Sequence, residues 1–156
     1  MNLEIEVDEA AWHDLPDAAA LVGRAAEAAF ARLGAGDLKD KLLSVTLADD
    51  ETVAQLNAQW RGKPKPTNVL SFPADQDIAI PPGEPRPLGD IILAAGVVRT
   101  EAAQQSKPLA DHFRHLVVHG ILHIMGYDHV DDAQADEMES LEKEILVKLG
   151  IADPYV

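Results

Sequence analysis

The histidines of this chain are concentrated in one short run, and that run constrains the fold more than any other feature. His119, His123 and His129 stand in the segment HGILHIMGYDH, and five of the six histidines lie between residues 112 and 129. On a helix, His119 and His123 are one turn apart and project from the same face. Gly126 can end that helix in the left-handed conformation, so that the chain turns back. The pattern predicts that three imidazoles converge on one point.

Three imidazoles are the ligand set of a catalytic zinc site, which keeps its fourth position for water. We therefore expect His119, His123 and His129 to be metal ligands and catalytic residues that hold one divalent ion. The ligand type favours Zn²⁺, with Ni²⁺ as an alternative. The chain has no cysteine, which excludes thiolate ligands. His112 and His115 lie near the same helical stripe, and we expect them beside the site or at the surface, not as ligands.

The spacing of the three histidines resembles the metzincin metalloprotease pattern HExxHxxGxxH. One position differs, because Gly120 stands where those proteases carry the glutamate that acts as general base. The metal ligands are kept and the peptidase base is absent. A metalloprotease-like hydrolase with an unusual base is an alternative, and peptide cleavage is the weaker prediction.

The longer pattern HGxLHxxGYDH resembles the signature of the YbeY family, rRNA maturation factors regarded as metal-dependent endoribonucleases. Two further blocks agree with that family, since Arg61 precedes PTNVLSFP at residues 66–73 and LGDI begins at Leu88. The resemblance covers most of the chain, from about the second predicted strand onward. Asn68 stands where the family usually has aspartate, so a carboxylate partner for Arg61 is missing at this position.

This resemblance implies a zinc-dependent hydrolase that cleaves phosphodiester bonds in single-stranded RNA. It implies a role in 3′-end maturation of the 16S rRNA precursor and in ribosome quality control, with the ribosome or small-subunit ribosomal proteins as partners. Arg61 is the expected catalytic cation, because a guanidinium can stabilise the charge that builds on phosphorus. The expected substrate-binding residues are Arg61, Lys63, Lys65 and Ser71.

The net charge of −14 weighs against an RNA-binding role, since RNA affinity depends strongly on basic residues at phosphates. The charge is unevenly distributed, however. No acidic residue occurs in segment 52–74, which holds the three basic residues just named, whereas eight acidic residues lie in segment 128–144. The basic segment either lies against the histidines and holds RNA or forms a solvated loop. The acidic balance also fits another class, a non-catalytic ribosome-assembly factor with a structural metal.

The general base is the part of the mechanism that the sequence leaves open. Asp128 precedes His129 and can orient a ligand imidazole, or it can be a surface residue. Asp90 has the same two interpretations. Attack by water and attack by the neighbouring ribose hydroxyl are both compatible with the residues present.

Hydrophobic periodicity predicts an α+β (mixed α/β) fold in a single domain over residues 1–156. Alternating or short apolar runs predict a four-stranded mixed sheet with strands near residues 3–7, 43–47, 69–72 and 90–93. Helix formers and breakers predict five helices, at residues 17–33, 49–60, 94–105, 109–125 and 133–149. Gly34 and Gly36 are the expected stop of the first helix, and Val53, Leu56 and Trp60 share one face of the second. The metal site is expected at the end of a central helix, and segment 81–87 as an irregular loop.

The hydropathy of the chain predicts a cytoplasmic protein without a membrane partner. No apolar stretch is long enough to cross a bilayer, and the start MNLEIEVD is acidic and alternating, unlike a signal peptide.

Overall fold

A four-stranded mixed sheet lies at the centre of the computed structural model, which describes residues 1–34 and 38–155. The strands are β1 (Asn2–Val7), β2 (Lys41–Ala48), β3 (Val69–Pro73) and β4 (Arg86–Ala94). Their order across the sheet is β1-β2-β4-β3. Strand β2 pairs in parallel with β1 and β4, and β3 is an antiparallel edge strand on β4. The predicted mixed sheet is confirmed.

Five helices surround this sheet in the described part of the chain. They are α1 (Ala18–Leu33), α2 (Asp50–Arg61), α3 (Ala95–Gln104), α4 (Leu109–Ile124) and α5 (Asp132–Lys148). Helix α1 is the crossover that makes β1 and β2 parallel. It ends at Gly34, whose φ of 59° is left-handed, whereas Gly36 lies outside the described residues. The predicted α+β class and its five helices are confirmed.

The predicted loop at residues 81–87 is wrong at its end, because β4 already begins at Arg86. The Arg86 amide donates to the Asp40 carbonyl at 2.7 Å, and Pro87 then lies opposite Leu42 of β2. Proline is tolerated there since it stands at the start of the strand, next to a register shift in the β2–β4 pairing. The first two residues of β4 therefore lie within a segment whose proline and glycine content predicted a loop.

Two apolar clusters pack on opposite faces of the sheet. Helix α4 contributes Phe113, Val117 and Ile121 to the larger cluster, together with residues of β2 and β4. Val53 of α2 belongs to the smaller cluster on the other face. Because side chains alternate along a strand, Ser71 of β3 lies on the α4 face, between neighbours that lie on the α2 face. No helix among the described residues is long and apolar enough to cross a membrane.

Helix α4 packs closely on the sheet at Gly120. A Cβ atom at this position would lie 3.0 Å from Cγ2 of Ile91 and 3.2 Å from Oγ of Ser71. These distances are shorter than ordinary contacts, so a side chain at this position would require Ile91 and Ser71 to shift. The glutamate that metzincins carry at the equivalent position would require a larger displacement than a methyl group.

Replacing this glycine is expected to destabilise the fold. Gly120→Ala should lower the free energy of unfolding by about 1–3 kcal/mol through overpacking, and Gly120→Glu should prevent folding. Gly23 is a matched control, since it also lies inside a helix but nothing stands within 4 Å of its Cβ position. Gly23→Ala should instead stabilise the protein by about 0.5–1 kcal/mol, as helix propensity dictates. Urea denaturation of the variants tests both signs, and an equal response at the two sites would contradict the close approach.

Candidate metal centre

The end of α4 and the turn after it bring three imidazoles together. One ring nitrogen from each of His119, His123 and His129 lies within 4.8 Å of the other two. These side chains form one end of a cleft of about 550 Å³. The cleft is lined by Arg61, Asn68, Val69, Ser71, Pro73, His119, His123, Gly126, Tyr127, Asp128 and His129.

The turn after α4 has the geometry that the glycine predicts. Gly126 has a φ of 98°, and its amide donates to the His123 carbonyl at 3.1 Å. The Tyr127 amide reaches back to the Leu122 carbonyl at 3.0 Å. These two hydrogen bonds satisfy carbonyls at the C-terminal end of α4 and reverse the chain direction. The reversal brings His129 close to His119 and His123 of α4.

A buried carboxylate lies behind the first histidine. Glu142 of α5 is 0% exposed. Its Oε1 accepts a hydrogen bond from Nδ1 of His119 at 2.6 Å, and its Oε2 accepts from Nε2 of His115 at 2.8 Å and from the Tyr155 hydroxyl. Burial alone would raise the pKa of Glu142, but the bonds from His115 and His119 outweigh it and lower the pKa to about 2. The carboxylate is therefore ionised at neutral pH.

Glu142 is a residue of the site that the sequence patterns did not single out, because it is one of eight acids in segment 128–144. The available signal was its position within the apolar stripe of α5. Met138, Leu141 and Ile145 are buried on the same helix, and Glu142 lies among them. A single acid within such a stripe indicates a carboxylate that has buried partners.

The hydrogen bonds of the first two histidines fix which of their nitrogens carry protons. Nδ1 of His119 faces the ionised Glu142, and Nδ1 of His123 lies 3.0 Å from the Tyr127 carbonyl. Both partners only accept, so each Nδ1 carries a hydrogen, and a ring in its neutral form then presents a bare Nε2. Burial and the nearby His119 and His129 lower the pKa of His123, which favours its neutral form.

Those two Nε2 atoms lie 3.0 Å apart. Two lone pairs at this distance repel each other unless a proton or a cation lies between them. With a third imidazole within reach, the donor set fits a divalent ion that prefers nitrogen ligands. A second group, formed by His115, His119 and Glu142, also has the spacing of metal ligands. Its atoms are already joined by hydrogen bonds, so it orients His119 instead.

A second polar cluster lies beside the cleft and involves Asn68. Its Nδ2 donates to Oε1 of Glu101 at 3.0 Å, and the same oxygen lies 2.9 Å from Nε2 of His112, a residue that is 4% exposed. Burial lowers the pKa of His112. An aspartate at position 68 would place a second carboxylate against Glu101, whereas the amide of Asn68 supplies a donor. The Asn68 side chain is therefore matched to Glu101.

The structure brings some of the predicted substrate-binding residues to the cleft and leaves others outside. Arg61 and Ser71 line it, and the guanidinium of Arg61 has no hydrogen bond or ion pair within the described ranges 1–34 and 38–155. The Ser71 hydroxyl makes only a long contact of 3.5 Å with the Gly120 carbonyl. Lys63 and Lys65 are exposed and follow Arg61 closely in the chain, but they do not line the cleft.

The two aspartates considered as helpers of the site have different positions. Asp128 lines the cleft, and its Oδ1 accepts a hydrogen bond from the His129 backbone amide at 2.8 Å. Asp90 pairs with Phe72 across the sheet, on the face away from α4. Burial, with a contribution from Glu4, raises the pKa of Asp90. Asp128 is thus at the cleft and Asp90 is not.

Fold and cleft together define a class: an α+β protein with a candidate histidine metal centre at the end of a central helix. A family model described as Endoribonuclease YbeY matches residues 6–150. A protein named Endoribonuclease YbeY from Paramagnetospirillum magneticum is 54% identical, with 99% of this chain and 97% of that protein covered. Its namesake from Azorhizobium caulinodans is 49% identical, with 99% and 96% covered. The chain belongs to the YbeY endoribonuclease family.

A structural comparison supports the fold independently. The solution structure of TM1509 from Thermotoga maritima aligns with a TM-score of 0.53 at 22% identity, covering 97% of both chains. At this identity the likeness concerns the fold alone.

Replacing Glu142 by its neutral isostere is expected to weaken metal binding. Glu142→Gln removes the charge that fixes the His119 ring, and loss of such a partner typically costs about 10- to 100-fold in metal affinity. Chelator competition with Zn²⁺ measures the dissociation constant. Asp136→Asn is the control, because Asp136 is an exposed acid on the same helix. Equal affinities in the two variants would contradict the orienting role of Glu142.

Proposed function

We propose that this protein is a zinc-dependent endoribonuclease that cleaves single-stranded RNA in the histidine cleft. The observation that carries the proposal is the pair of Nε2 atoms of His119 and His123, 3.0 Å apart, in a cleft also lined by Arg61, which has no hydrogen bond or ion pair among the described residues. A cation site and a free guanidinium in one cleft match the needs of a reacting phosphodiester. The matching family model and relatives carry the name endoribonuclease, which supports the same activity.

The metal ligands in this proposal are His119, His123 and His129, with Zn²⁺ as the preferred ion and Ni²⁺ as the alternative. A zinc ion held by three imidazoles supplies a Lewis acid for phosphoryl oxygens and lowers the pKa of water toward neutrality. Glu142 and the Tyr127 carbonyl hold the first two rings in the tautomer that leaves Nε2 free. The site is therefore organised by hydrogen bonds that do not depend on the ion.

Arg61 is the residue that we assign to the negative charge on phosphorus. Its guanidinium is permanently charged and makes no hydrogen bond or ion pair with residues 1–34 and 38–155, so its donors are available to phosphate oxygens. The Ser71 hydroxyl, held only by its 3.5 Å contact, can turn to a second phosphate oxygen. Lys63 and Lys65 lie beyond the cleft and would bind neighbouring phosphates along the strand.

The biological substrate that we propose is the 16S rRNA precursor, cleaved during 3′-end maturation in the cytoplasm. The net charge of −14 makes tight binding of free RNA unfavourable. If the ribosome holds the RNA strand at the cleft, the protein does not need a high affinity for free RNA. Exposed acids on α5, including Asp132, Asp136 and Glu137, offer a surface complementary to basic small-subunit ribosomal proteins.

The same acidic surface favours a second candidate function, in which the protein is a non-catalytic ribosome-assembly factor with a structural metal. In that case, the metal would stabilise the turn after α4 and Arg61 would have no role in RNA cleavage. The two candidates differ in the effect of Arg61→Ala on RNA ends, and not in the effect of metal removal on stability.

Cleavage of an oligonucleotide carrying the 16S 3′ region tests the proposal directly. Zinc-loaded protein should cleave it, and His123→Ala should abolish cleavage together with metal binding. Arg61→Ala should retain zinc but lower the cleavage rate by about 100-fold or more, as expected for loss of a donor to the transition state. Arg24→Ala is the matched control, because Arg24 is exposed on α1. Equal cleavage by all four proteins would indicate a contaminating nuclease, and normal rRNA ends with Arg61→Ala in cells would favour the assembly factor.

The product ends distinguish the attacking group. A 2′,3′-cyclic phosphate, seen at any time by mass spectrometry, indicates attack by the neighbouring ribose hydroxyl. Products with 5′-phosphates and no cyclic intermediate indicate attack by water. Cleavage of a strand with a 2′-deoxy nucleotide at the scissile position gives the same distinction by a separate route.

A further inference from the structure

Trp60 is a large aromatic side chain that the fold leaves in solvent. It is 65% exposed, whereas the other tryptophan, Trp12, is 3% exposed. Sequence periodicity placed Trp60 on one face of α2 with Val53 and Leu56, and of these Val53 is fully buried. The ring lies on the last turn of α2, where its aromatic neighbour is the partly buried Phe72, at 6.3 Å between centroids and 55° between planes. One aromatic contact thus leaves most of the indole uncovered.

Trp60 precedes a residue of the candidate metal centre, since Arg61, the next residue, lines the cleft. Trp60 itself is not among the lining residues. Its ring neighbour Phe72 stands between Ser71 and Pro73, which both line the cleft, but the Phe72 side chain lies on the α2 face of the sheet, opposite Ser71. The indole is therefore connected to the cleft through Arg61, and its ring packs on the α2 face of the edge strand β3.

The basic segment that follows Trp60 is held in place by hydrogen bonds. Gly62 ends α2 with a φ of 68°, and the Lys63 amide donates to the Asn57 carbonyl at 3.2 Å. Asn57 is 4% exposed, and its Nδ2 donates to the Lys65 carbonyl at 2.9 Å. The backbone of the segment is thus fixed against the helix. The two lysine side chains remain exposed and have no ion pair within the described parts of the chain.

The surroundings of Trp60 match a nucleic acid better than a protein. Residues 59–66 are all exposed, and Trp60 is the one large hydrophobic side chain among them. An apolar protein-docking patch would need several such side chains in contact. A single exposed ring among unpaired cations is the combination used by single-strand binding surfaces, where bases stack on aromatic rings and cations follow the phosphates.

We propose that Trp60 is a stacking platform for one unpaired nucleobase of an RNA strand whose phosphates run past Lys63 and Lys65 to Arg61. The proposal rests on the proposed function, because it takes RNA as the ligand of the cleft. It adds a binding subsite outside the cleft, for a base next to the reacting phosphate. Stacking on an indole accepts any base, so this subsite distinguishes unpaired from paired RNA, and not one sequence from another.

Intrinsic fluorescence tests stacking without any need for cleavage. Protein treated with EDTA is titrated with single-stranded RNA, and quenching is expected from Trp60, because Trp12 is buried and its Nε1 donates to the Ala48 carbonyl. Trp60→Phe retains only Trp12, so its emission should not respond to RNA.

Fluorescence anisotropy of labelled RNA should show about tenfold weaker binding for Trp60→Ala, and near-normal binding for Trp60→Phe. Val130→Ala, at an exposed hydrophobic residue beyond the histidines, is the control and should bind normally.

An abasic scan locates the stacked base. RNA strands that each lack one base are compared, and loss of the base at one RNA position should weaken binding to the unmodified protein. Loss of that same base should not change the affinity of Trp60→Ala. Circular dichroism confirms that each variant is folded. The stacking platform would be overturned if the fluorescence of the unmodified protein were not quenched on addition of RNA. Equal affinity of Trp60→Ala and the unmodified protein for RNA would also overturn it. If quenching and the abasic position are found in a protein that never cleaves RNA, the platform stands and the proposed function fails.

Discussion

Helix α4 is held from two sides, and the geometry of the candidate site depends on this double contact. On one side, α4 packs so closely on the sheet that a Cβ atom at Gly120 would lie 3.0 Å from Cγ2 of Ile91. On the other side, two imidazoles reach Glu142 of α5. Because the helix is fixed against both the sheet and α5, its histidine face has one position relative to Ser71 and Arg61, which come from other elements. The three candidate metal ligands and the Arg61 guanidinium then share one cleft.

The buried carboxylate is stable only as part of this arrangement. A lone ionised glutamate with no exposure would be strongly unfavourable, whereas Glu142 receives donors from His115, His119 and Tyr155. The same bonds that compensate its burial determine the tautomer of His119. Stability and ligand orientation are thus two results of one hydrogen-bond network, and removal of the carboxylate cannot affect one alone.

Sequence patterns predicted the elements well, because each depends on local signals. The alternation of β1 and β2, the glycine that ends α1 and the turn at Gly126 were all readable along the chain. The role of Glu142 was not, since its histidine partners are 23 and 27 residues away and most of the other acids of α5 are exposed. The exposure of Trp60 was also hidden, because periodicity gives the face of a helix and not where the sheet beneath it ends. The predicted loop at residues 81–87 was wrong at its end for a different reason, because composition alone cannot show that Pro87 belongs to the start of a strand.

The turn after α4 has a consequence for how the site assembles during folding. The Tyr127 carbonyl that accepts from His123 belongs to the same turn whose amides close the helix. Helix termination, ring orientation and the approach of His129 are therefore one local event with short loop closures, which is fast. The contact of His119 with Glu142 must await docking of α5. A metal ion present during synthesis would thus meet the oriented ring of His123 before the ring of His119 is held by its carboxylate, so the order in which these two rings become fixed follows the order in which the chain folds.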